Sequence, residues 1–129
     1  MQNTSTNRTA PTVLVIGVAG PAMGHIRECL HTEAAIPNET VEHRDGSSAA
    51  RRHRPQVIIV GFDADPDAAV QLGEQLGTEH PNAVLIAHAT MAQPERIREA
   101  MRAGYRDFVV LPEDAQLLRR TVREAPSEV

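Results

Sequence analysis

Four short runs of β-branched and aliphatic residues, Thr12–Ile16, Val57–Val60, Ala83–Ala87 and Phe108–Leu111, limit what this chain can fold into more than any other feature. Unbroken runs of this kind suit strands buried on both faces, as in a parallel sheet, rather than strands with one wet face. Helical patterns separate them. Ile26, Cys29 and Leu30 fall at i, i+3 and i+4, and Ala69, Leu72 and Leu76 form a second stripe. Ile97, Ala100 and Met101 form a third, and Leu118, Thr121 and Val122 a fourth.

The punctuation agrees with this rhythm. Asp65-Pro66-Asp67 is a helix start, with a capping residue, a proline at the first helical position and acid in the first turn. Thr90 or Gln93 opens the next helix, and Gly104 stops it. Pro112-Glu113-Asp114 opens the last one. Asp45-Gly46-Ser47 is a turn and an N-cap for a short helix ending in Arg51-Arg52-His53-Arg54. Thr40–Arg44 reads as a fifth, polar strand that belongs at a sheet edge. Five strands alternating with five helices predict an α/β, flavodoxin-like doubly wound parallel sheet of order 2-1-3-4-5, with helices on both faces. Residues 1–10 read as a disordered tail, 11–125 as one domain and 126–129 as a frayed end.

Composition narrows function by subtraction. The two phenylalanines, one tyrosine and no tryptophan leave no platform for stacking single-stranded nucleic acid. A net charge of −4 disfavours phosphate backbones as partners. All 13 basic residues are arginine, so no step can use a lysine ammonium. With one cysteine, Cys29, at an apolar helix position, there is no internal disulfide. No stretch resembles a signal peptide or a membrane span, and the expected location is the cytoplasm.

The strand–helix spacing, the segment Ala100-Met101-Arg102-Ala103-Gly104-Tyr105-Arg106-Asp107-Phe108 and the following Val109-Val110-Leu111-Pro112 resemble the receiver domains of two-component response regulators. Arg54-Pro55-Gln56 before Val57–Val60 resembles that family's proline-led third strand. The resemblance spans about residues 12–123 and implies the CheY-like version of the fold. Carried over position by position, however, the family's chemistry is missing. The phosphoacceptor aspartate falls on Gly61, and the magnesium-binding acidic pair on Gly17 and Val18 or Ala19. The switch hydroxyl falls on His88 and the lysine on Leu111, while the aromatic of the last strand is kept as Phe108. Phosphoryl transfer to a carboxylate needs a nucleophile, a hard cation held by clustered oxygens, and positive charge opposite the transferring oxygens. The expectation is therefore a pseudo-receiver, not an enzyme, without cofactor or metal. Among atypical receivers, the A-x-R-A-G-x-R-D-F wording is most similar to the N-terminal receiver of the TadZ/CpaE group of pilus-assembly ATPases. That likeness implies a localisation or self-association module; no P-loop is present, so no ATPase activity is expected of this chain. The chain stops where a receiver's last helix ends, which suits either a small protein or one domain of a larger one.

The resemblance also places a partner surface. Receivers self-associate through the fourth helix, fifth strand and fifth helix, which on this chain implies Arg98, Met101, Arg102, Tyr105, Arg106, Leu117 and Arg120. Mixed charge signs there, with Glu95, Asp107 and Glu113, suit a symmetric homodimer. The alternative is a phosphoacceptor receiver that uses Asp63, two residues beyond Gly61, as a displaced acceptor. Two further readings carry less. Gly17-Val18-Ala19-Gly20-Pro21-Ala22-Met23-Gly24 lies where a dinucleotide turn would, with Glu42 or Asp45 for a ribose, but its spacing is that of an ordinary strand–helix turn. His25 and His88, with Asp63 and Asp65 near the same sheet edge, contain metal-ligating groups, though local hydrogen bonding explains them more simply.

Overall fold

Side-chain alternation along four strands divides the core into two layers. The computed structural model describes residues 10–126; residues 1–9 of the expected N-terminal tail and 127–129 of the expected frayed C-terminus lie outside them. β1 (Val13–Ile16), β2 (Val57–Gly61), β3 (Val84–His88) and β4 (Asp107–Val109) form one parallel sheet of order β1-β2-β3-β4. Because successive side chains point to opposite faces, Leu14, Ile16, Ile58, Val60, Leu85 and Ala87 enter one layer. There they meet Ala49 and Ala50 of α2 (Gly46–His53), Leu72 and Leu76 of α3 (Pro66–Glu79), and Ala100 and Ala103 of α4 (Pro94–Ala103). Val13, Val15, Val57, Ile59, Ile86 and Val109 enter the other layer. Ile26 of α1 (Pro21–Cys29) and Leu118 and Val122 of α5 (Ala115–Arg123) close it.

The helix signals act as expected in most places. The Asp65 carboxylate accepts the amide of Ala68 at 3.0 Å, Pro66 and Pro94 open their helices, and Gly104 ends α4 at φ 105°. Two starts differ. Asp45 makes no side-chain cap on α2, and the carboxylate of Asp114 accepts the Val110 amide at 2.8 Å instead of capping α5.

The expected edge strand over Thr40–Arg44 does not form. The outer rim of β1 is covered by an irregular segment anchored at two points: Val13 donates to the Ala35 carbonyl at 2.9 Å, and Gly17 to that of Val41 at 2.8 Å. Between these anchors β1 advances four residues, from 13 to 17, while the outer segment advances six, from 35 to 41. Two surplus residues and Pro37, which has no amide to donate, prevent a regular ladder. The observed order is therefore the expected 2-1-3-4-5 without its polar edge member. His43–Asp45 turns as a 3-10 helix instead.

Candidate functional site

The C-terminal ends of β1 and β2 converge where a phosphoacceptor would sit, and the space is occupied. A Cβ built on Gly61 would overlap the Gly17 carbonyl oxygen and lie 2.9 Å from Cγ2 of Val18. Gly17 reaches this approach through a left-handed backbone, φ 73°, open to glycine at little cost. Its own missing Cβ makes room for His43, whose ring would be 2.9 Å away at Nδ1 and closer still at its other edge. Nε2 of His43 bonds the carbonyl of Gly61 at 2.8 Å, so it is the protonated nitrogen there. Three segments distant in sequence thus lock around two glycines. Nothing in the sequence marked His43, a lone imidazole in a polar stretch, or Val18 for this role.

The other positions carried over from the resemblance lie around this lock. His88 ends β3 beside Gly61 in the strand register and is 3% exposed. Burial pushes its imidazole below the ordinary 6.5; the Asp63 carboxylate opposes that shift, and His25 adds to it. Asp63 itself is exposed, and both its carboxylate oxygens accept the Thr90 amide, at 3.1 and 3.2 Å. Leu111 is half-buried and packs with the layer formed by α1 and α5, where it lines a crevice of about 340 Å³ with His25, Cys29 and Arg119. Burial pushes the Cys29 thiol up, against the pull of Arg119. The structure brings Asp63 and His25 each within electrostatic range of His88. No group of three or more His, Cys, Asp or Glu side chains among the described residues is arranged to hold a metal ion. Glu42, considered for a ribose, pairs with Arg44 at 3.3 Å.

The lowered value of His88 has a defined consequence for stability. The folded protein binds this proton less well than the unfolded chain, so the contribution is complete above about pH 6.5 and is lost as pH falls below it. Chemical denaturation between pH 7.5 and 5 is expected to show this loss, and His88→Gln is expected to flatten it. An unchanged slope in the variant would locate the titration elsewhere.

Phe108 lies in a cluster with the chain's other two aromatics. Phe62 meets Tyr105 edge-on at 5.2 Å between ring centroids and Phe108 at 6.0 Å. This corrects the expected partner surface. Tyr105 is 2% exposed, its hydroxyl donates to the Ala69 carbonyl at 2.7 Å, and its ring fills the space left by Gly73. A buried phenol needs a partner for its hydroxyl, and Ala69 supplies it. Arg98, Met101, Arg102, Arg106 and Arg120 are exposed, and Leu117 is half-buried.

No protein-family model and no curated protein matches the sequence. Solved structures do match. A response regulator from Thermotoga maritima superposes with a TM-score of 0.76 at 15% identity, over 91% of this chain and 98% of its own. The chemotaxis protein CheY4 of Vibrio cholerae gives 0.74 at 16%, over 92% and 100%. A pilus assembly-related protein from Burkholderia pseudomallei gives 0.76 at 17%, over 92% and 94%. The chain has the CheY-like receiver fold, and no helix among its described residues is long and apolar enough to cross a membrane.

Proposed function

We propose that this chain is a receiver-fold protein-interaction module that carries no phosphoryl chemistry. The observation behind this reading is the filled phosphoacceptor position: an aspartate side chain has no room at Gly61, because the Gly17 carbonyl and Val18 occupy it. By the resemblance, the acidic pair that such chemistry needs falls on Gly17 and on Val18 or Ala19, and the lysine on Leu111. What a receiver fold then offers is its surface. The exposed face of α4 and α5 and the segments that flank β4, with Arg98, Met101, Arg102, Arg106 and Arg120 beside Glu95 and Glu113, is the surface we assign to protein partners, a second copy included. Likeness to the pilus assembly-related protein, together with the arginine-rich wording around Gly104, supports a localisation role in pilus assembly as the N-terminal module of a TadZ/CpaE-like ATPase.

Sedimentation equilibrium of the chain tests the surface. Self-association is expected, and Arg102→Glu with Arg120→Glu is expected to weaken it about tenfold or more, the cost of setting like charges across a symmetric contact. Association unchanged in this double variant, or no association at any concentration, would remove the face from the account. Both residues are exposed, so the fold is expected to survive the substitutions.

A further inference from the structure

The outer rim of β1 is open at one residue. The Thr12 carbonyl accepts the amides of Gln56 and Val57 on the β2 side, whereas the Val13 and Gly17 amides turn outward to Ala35 and Val41. Main-chain groups alternate sides along a strand, so Val15 faces outward with them. Its amide and its carbonyl have no hydrogen-bond partner among the described residues. Main-chain groups so nearly buried, Val15 being 5% exposed, seldom go unpaired.

In a ladder continued from Ala35, the Pro37 carbonyl would take the Val15 amide. It is held away. Arg27 of α1 donates to that carbonyl at 3.2 Å, and Glu39, two residues on, is drawn to Arg52 and His53 of α2. Nor can the outer segment close the gap by sliding two residues, because Glu39 would then take the buried place of Val41. A slot of about 540 Å³ therefore stands between this segment and α1, lined by Val15, Met23, Gly24, Arg27 and Glu39 among others. Gly24 keeps it clear. A Cβ there would meet nothing within 4 Å, so packing does not call for a glycine that weakens the helix interior.

We propose that this slot binds a small neutral cyclic amide, of the pyrimidine-base kind, on the main chain of Val15. The Val15 amide donates to the ligand carbonyl and the Val15 carbonyl accepts the ligand N–H, two bonds that a neighbouring strand would otherwise supply. A cyclic amide shows its acceptor and donor side by side on one edge, so a single residue can meet both. A polypeptide strand does not fit, because Ala35 and Val41 close the rim at Val13 and Gly17, roughly 13 Å apart. Charge is not selected either. Arg27 and Glu39 carry opposite signs, and each already has a partner. Met23 offers the ring an apolar wall. Nothing in this site depends on the reading given for Gly61.

The test is an NMR titration of the chain with uracil. Saturable shifts are expected, centred on the Val15 amide and extending to Met23 and Gly24. N,N′-dimethyluracil keeps the ring and both carbonyls but has no N–H, and it is expected to bind about tenfold more weakly or worse. Gly24→Leu is expected to fill the slot, abolishing binding while the melting temperature stays or rises. Arg27→Met frees the Pro37 carbonyl for Val15. It is expected to weaken uracil binding about tenfold and, with no ligand present, to slow hydrogen exchange of the Val15 amide. Shifts that do not saturate or that centre elsewhere would overturn the proposal. So would equal affinity for the dimethyl compound, or full binding by Gly24→Leu or Arg27→Met.

Discussion

Gly61→Asp, which puts an aspartate where the resemblance places a receiver's acceptor, is expected to destabilise the fold by about 2–6 kcal/mol and to yield no phosphorylated protein. The first part of the cost is steric. The new Cβ would overlap the Gly17 carbonyl oxygen and crowd Val18, and overpacking a rigid site costs roughly 1–3 kcal/mol. The second is electrostatic: Gly61 is buried, and a carboxylate placed there without a cation or donors adds about 1–3 kcal/mol. Urea denaturation reads the sum, and intact mass after exposure to a small phosphodonor with magnesium reads the chemistry. A Gly61→Asp protein as stable as the wild type would mean that the lock at Gly17 and His43 opens readily.

The second large effect lies at Tyr105. Tyr105→Ala is expected to cost about 3–5 kcal/mol, as for other buried aromatic truncations, and to lower the melting temperature by about 10–20 °C. The ring is the meeting point of α3, α4 and Phe62, and the Cβ absent from Gly73 makes its berth. Tyr105→Phe separates the two contributions: only the hydroxyl bond to Ala69 is lost, at about 1 kcal/mol. Burial also pushes the phenol well above its ordinary value, so Tyr105 stays neutral through the usable pH range. Equal losses for the two substitutions would show that the hydroxyl bond, not the ring, sets the cost. Small losses in both would return Tyr105 to the surface.

These residues show how far the sequence could be read. Three buried strands and five helices follow from local pattern, because runs such as Val57–Val60 and starts such as Asp65-Pro66-Asp67 encode their structure in adjacent residues; the fourth run, Phe108–Leu111, yields a shorter strand, Asp107–Val109, in which only Val109 is buried. The polar strand expected over Thr40–Arg44 failed for a non-local reason. Its pairing depends on a residue count between anchors at Ala35 and Val41 that only the folded register of β1 defines. Tyr105 failed similarly. Position by position the resemblance placed it on an interface, but whether a tyrosine at that point turns inward is decided by Gly73, thirty-two residues earlier on α3. That positions 17 and 61 are glycines was legible as two letters. That each glycine is required by the other and by His43 was not, since the argument is one of distance.

The lock at Gly17, His43 and Gly61 is most directly tested by the intact mass of the wild-type chain after incubation with acetyl phosphate and magnesium. The expected mass is unchanged by even one phosphoryl group. A phosphorylated species that Asp63→Asn abolishes would contradict it, and would make Asp63, with its grip on the Thr90 amide, the acceptor of a working receiver.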